Sequence, residues 1–155
     1  MAGIRYTTNY TSLNGQEYQL DLYDTNFTGG TTEVSLGEGA CQISYDASGD
    51  KKFNPICAST MEWKFIVEDT TARDWIEDLI TSIPEKTIYA YLYEKDFVTD
   101  PILIWGGYLL LDLSSMPDES FPYEVSMRAV DGLALLKEEK WMKVGATGYT
   151  EADTY

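Results

Sequence analysis

The chain has no histidine, two cysteines and only 11 basic residues among 155. Without histidine it lacks the commonest general base, the commonest zinc ligand and the usual partner of a serine or cysteine nucleophile. Cys41 and Cys57 stand in no CxxC arrangement and cannot hold zinc unaided. Reduced, partly buried thiols are expected at both rather than a disulfide. No apolar run, Tyr108 to Leu111 included, is nearly long enough to span a bilayer, so no membrane anchor is expected. The opening MAGIRYTTNY has no apolar h-region, so no signal peptide is expected either. No GxxxxGKS, GxGxxG or GxSxG is present, and LGEGA lacks the strand, lysine and helix that would make a phosphate loop.

Acidic residues, by contrast, abound. Twenty-six of them give a formal net charge of −15. Such a surface repels phosphate backbones and anionic membranes, and it suits a surface that nucleic acid passes without sticking. Apolar residues make up 44%, enough for one domain with a sizeable core. Twelve tyrosines dominate the aromatic share, a residue suited to strands and wet interfaces.

Period-two alternation recurs along the chain. Ile4 to Tyr10 and Glu17 to Tyr23 read as strands joined through Asn14-Gly15, a tight-turn pair. Thr31 to Leu36, Cys41 to Tyr45, Thr60 to Glu68 and Thr87 to Glu94 follow, with Met61, Trp63, Phe65 and Val67 on one face. Ile102 to Leu113 is interrupted by Gly106-Gly107, which suggests a bulge or sharp bend. Between strands, Ala72, Trp75, Ile76, Leu79, Ile80 and Ile83 keep helical spacing, so a helix is expected over about 72–83, with Thr71 as its cap. Tyr123 to Ala129 alternates again and is expected to close the sheet or barrel. Asp131 is then placed to cap a short helix packed through Leu133, Leu135 and Leu136. After Trp141 no pattern remains. The expected fold is mainly β with minor α: an antiparallel barrel or sandwich of about eight or nine strands, in one domain over 1–141. Residues 142–155 are then a tail or the lead into further chain.

The residues offer little for catalysis. Asp21 with Asp24, Asp74 with Glu77 and Asp78, and Glu138 with Glu139 are the adjacent carboxylates. A glycosidase pair must face across a cleft with one member desolvated, and the three helix acids lie on its outer face. Asp46 to Asp50 (DASGD) has alternating oxygens but no distal glutamate of a calcium loop. Neither an enzyme nor a metal or cofactor is expected. Trp63, Tyr89, Tyr91, Tyr93 and Trp105 are candidates for core or subunit contact on alternate faces. The other reading of them is a platform for stacking sugars or peptides.

Several stretches in fixed order carry a resemblance. They are YDTNFTGG, LGEGACQISYDASGDKKFNPICASTMEWKF, WGGYLLLDL and YEVSMRAVDGLALLKEEKW, of which Ala129 to Lys137 is the most specific. Together, over roughly Gln16 to Trp141, they resemble the N-terminal β-barrel region of tail-hub or baseplate-hub proteins of tailed bacteriophages. The resemblance implies a non-catalytic virion protein, made in the host cytoplasm, that self-associates as a trimeric or hexameric ring. It also implies neighbours in the tail tube and tip, and a central channel through which DNA leaves without specific binding. Hub proteins are usually much longer, so 155 residues correspond to one barrel. The structural and interface residues it puts forward are Trp63, Tyr89, Tyr91, Tyr93, Trp105, Asp131, Leu133 and Leu136.

Overall fold

The computed structural model describes residues 3–39, 41–45, 58–81, 83, 87–95, 100–111, 119–133, 142–145 and 148–151. The elements are β1 (Gly3–Thr11), β2 (Glu17–Asp24), β3 (Thr32–Glu33), β4 (Gln42–Tyr45), β5 (Ser59–Val67), α1 (Thr70–Thr81), β6 (Ile88–Lys95), β7 (Ile102–Leu109), β8 (Tyr123–Asp131), β9 (Met142–Gly145) and β10 (Gly148–Glu151). The first eight strands form one sheet in the order β3-β1-β2-β6-β7-β8-β5-β4. All pairs are antiparallel except β1 with β3.

The fold is therefore mainly β with one helix, as the alternation implies, but neither a closed barrel nor two stacked sheets. One sheet coils until its two ends are linked across residues 34–37. The Val34 amide donates to the Thr7 carbonyl at 2.9 Å, Ile66 to Ser35 at 3.1 Å and Gly37 to Lys64 at 2.7 Å. A single antiparallel bridge, Leu36 to Phe65, is the only ladder contact of that linkage. The expected strand at Thr31 to Leu36 thus shrinks to Thr32–Glu33, because its residues divide their hydrogen bonds between β1 and β5. Nor does β8 close anything: it lies inside the sheet between β7 and β5.

The alternating residues meet inside. Leu20 and Leu22, Met61, Trp63, Phe65 and Val67, and Val125, Met127 and Ala129 form the core with Ile88, Ala90 and Leu92. Helix α1 covers one end of it, burying Ile76 and Leu79. Trp75 packs on Tyr6 and Phe65, with ring centres 4.5 and 5.2 Å apart. The helix starts two residues earlier than its apolar stripe predicts, at Thr70. Asp69, not Thr71, caps it, accepting from the Ala72 amide at 2.8 Å, and Thr71 lies within the first turn. Asp78 is not merely solvated, since Arg5 pairs with it and with Asp24, fastening the helix to β1 and β2. Among the described residues no helix is long and apolar enough to cross a membrane.

Two further expectations change. The irregularity in β7 falls at Ile104, the extra residue between the pairs Leu92–Trp105 and Tyr93–Leu103, and not at the glycines. The glycines serve close approach: a Cβ on Gly107 would sit 2.3 Å from the Val130 carbonyl oxygen, and one on Gly106 3.0 Å from the Tyr91 ring. Residues 142–145 and 148–151, expected without pattern, pair as the separate strands β9 and β10.

Candidate functional site

Strand alternation has a second consequence, on the outside of the sheet. Because Leu20, Leu22, Ala90 and Leu92 point inward, their neighbours on β2 and β6 point outward. The register then places three rows side by side. Tyr23, Tyr89 and Tyr108 form one row, Asp21, Tyr91 and Gly106 the next, and Gln19, Tyr93 and Leu103 the third. Tyr89 and Tyr91 stack with ring centres 6.0 Å apart and planes within 4°. Tyr89 and Tyr108 approach to 4.6 Å, Tyr23 and Tyr91 to 6.2 Å, and Tyr91 and Tyr93 to 6.4 Å. Gly106 leaves room for Tyr91 to lie flat across β7.

The single charge in these rows is withdrawn. Asp21 is 4% exposed and accepts from Thr7 Oγ1 at 2.6 Å and from Gln19 Nε2 at 2.9 Å. Asp24 is also buried, at Arg5. These two carboxylates therefore have buried surroundings that the sequence does not reveal, but each is held by its own partners and they face no common cleft. The phenols of Tyr91 and Tyr93 are raised above the ordinary range by burial, and that of Tyr89 by its hydrogen bond with Tyr108, so all are neutral donors at physiological pH.

The two tryptophans lie elsewhere. Trp63 is 2% exposed and Trp105 6%, both inside. Neither can stack on a ligand. Trp105 Nε1 donates to Ser59 Oγ at 2.9 Å, and Ser59 Oγ donates to Asp131 Oδ2 at 2.6 Å. The Ser59 amide reaches the same oxygen at 2.7 Å. Asp131 Oδ1 accepts from the Leu133 amide at 3.1 Å, a contact in keeping with the expected helix cap, although most of that short helix lies outside the described residues; the carboxylate also ties the end of β8 to the start of β5 and, through Ser59, to Trp105. Leu133 is half exposed rather than packed, while Leu135 and Leu136 lie outside the described residues, as do Cys57 and Asp46 to Asp50.

At the end of the coiled sheet away from the helix, no described residue fills the opening. A cleft of about 940 Å³ there is lined by Tyr10, Tyr18, Cys41, Ile43, Leu92 and Ile104, among others. Leu13, Tyr45, Ile102, Leu103 and Ile104 are exposed around this end. Cys41 is a free thiol that burial pushes up to about 11, so it is un-ionised and a poor nucleophile at neutral pH. No group of three or more metal-ligating side chains occurs among the described residues.

This arrangement defines the chain, first, as a mainly β protein with one aromatic outer flank whose single carboxylate is buried. Comparison with protein-family models, with curated proteins and with solved structures finds no match.

Proposed function

We propose that the chain is a non-catalytic structural subunit that self-associates, and that its assembly is the tail-hub or baseplate ring of a bacteriophage. One observation carries the self-association: a surface of five tyrosines and Leu103 with its one carboxylate buried, on a chain of net charge −15. Charge depletion with tyrosine enrichment is the signature of an interface centre, and on so acidic a chain it is where two copies can meet without repulsion. The tail-hub assignment rests on the resemblance of Gln16 to Trp141 and on the acidic balance, which suits the lining of a channel that DNA passes. The reading assigns no reaction.

Mass photometry and negative-stain imaging of the full chain test this. A ring of three or six copies is expected, with acidic side chains toward its lumen. A monomer at micromolar concentration overturns the reading. Saturable binding in a glycan array, lost on Tyr91→Ala with the fold intact, would favour a glycan-binding module instead, with the tyrosines as its platform.

A further inference from the structure

Strand β7 is longer than the pairing it receives. On one side it pairs with β6 from Ile102 to Tyr108. On the other it pairs with β8 only over Gly107 to Leu109, because β8 ends at Asp131, opposite Gly107. Ile102 to Gly106 therefore present a strand edge that no other strand covers among the described residues. An uncovered edge is a template for another strand, and natural proteins commonly blunt such edges with charge or proline. This one carries neither: Ile102, Leu103 and Ile104 are 56%, 52% and 41% exposed. The apolar cleft opens beside it, with Ile104 in its wall, and Leu103 continues the tyrosine rows.

The same chain holds a strand pair with no place in the main sheet. β9 and β10 pair only with each other, four residues to four. A lone two-stranded hairpin is marginal in water and gains most by joining a larger sheet. It carries one lysine, Lys143, and one glutamate, Glu151, and Lys137, Glu138, Glu139 and Lys140 before it also cancel, a neutral stretch on an acidic chain. Glu94, the register partner of Ile102, lies on β6 at the covered side of β7. Hydrogen-bonding capacity matches, and a neutral hairpin meets the uncharged edge without repulsion.

We infer that the edge at Ile102 to Gly106 receives the β9–β10 hairpin of a second copy, extending the sheet by strand addition. This rests on the self-association proposed above and names its contact. Donor and acceptor are different parts of the chain, so the contact is head-to-tail, the type of contact that builds a ring when the rotation between copies closes and a filament when it does not.

The test places the photo-crosslinking residue p-benzoylphenylalanine at position 103 of the full chain. Light- and heavy-nitrogen chains are mixed, reassembled and irradiated. Crosslinks from position 103 to residues 142–151 joining light to heavy chains are expected. Crosslinks only within one isotope show each hairpin on its own chain and overturn the inference. An oligomer whose crosslinks fall elsewhere overturns it too, while leaving self-association standing; a monomer overturns both. Val144→Pro, which removes a backbone donor from β9, is expected to weaken assembly about tenfold or more. The near-ultraviolet signal of the buried tryptophans should stay unchanged, and undiminished assembly would count against the inference.

Discussion

Two outer flanks of one sheet obey the same alternation and end up chemically opposite. On β5 and β8 the outward residues are Glu62, Lys64, Glu124, Ser126 and Arg128. They form cross-strand ion pairs, with Lys64 Nζ 2.7 Å from Glu124 Oε2 and Arg128 Nε donating to Glu62 Oε1 at 2.7 Å. The Lys64 ammonium holds the exposed Glu124 carboxyl below its ordinary range. On β2, β6 and β7 the equivalent positions hold tyrosines, Gly106 and Leu103. The first flank is satisfied by water and by its own pairs. The second leaves aromatic rings half-covered, and the proposed self-association rests on them. Pleating decides which residues face outward; the chemistry of those residues makes one flank charged and the other aromatic.

The flanks join at a short seam, Gly107 to Leu109 against Ala129 to Asp131, and the largest effects are expected there. Gly107→Ala forces its new methyl into the Val130 carbonyl and the Trp105 ring, and should cost about 3 kcal/mol in urea denaturation. A cost below about 1 kcal/mol would mean that the seam yields and the flanks are independent. Asp131→Ala strands the Ser59 amide and hydroxyl and should cost about 2 kcal/mol, with a shift in tryptophan fluorescence as the chain to Trp105 breaks. Tyr91→Glu places a charge in the tyrosine flank; sedimentation should show association weakened about tenfold and the fold retained. If instead Arg128→Ala, on the ion-pair flank, weakens association as much, the contrast between flanks is wrong. That substitution should alter stability by no more than about 0.5 kcal/mol, because both partners are half exposed.

The smallest effect is on pH. The Cys41 thiol lies above its ordinary value, so the buried neutral form favours the folded state below about pH 9, and this contribution is lost as pH rises through about 11. Peptide-resolved alkylation should find Cys41 slow at pH 8 and faster only near pH 11. Rapid modification at pH 8 would place the thiol in solvent.

Local periodicity made most elements legible. The alternation of Met61 to Val67 and the helical spacing of Ala72 to Ile83 needed no distant partner to be read. What escaped was what depends on distant partners. Asp69 replaced Thr71 as the cap, and the β7 bulge fell at Ile104 because register with β6 placed it there. Of the candidate site, Tyr89, Tyr91 and Tyr93 were legible as one outward face. Tyr23 and Tyr108 were not, since they join that face only through register with Tyr89.

By itself, the sequence determined composition, period and sign: an acidic, histidine-free chain of alternating strands with one amphipathic helix. These are properties of neighbouring residues and survive without a fold. Tertiary structure decided the rest. Trp63 and Trp105 went inside while the tyrosines stayed out. Asp131 came to serve a serine 72 residues away. β8 ended level with Gly107, leaving half of β7 uncovered. Each depends on which strand lies beside which, and at what offset. Pairing sets those quantities between segments distant in sequence, where no local pattern records them.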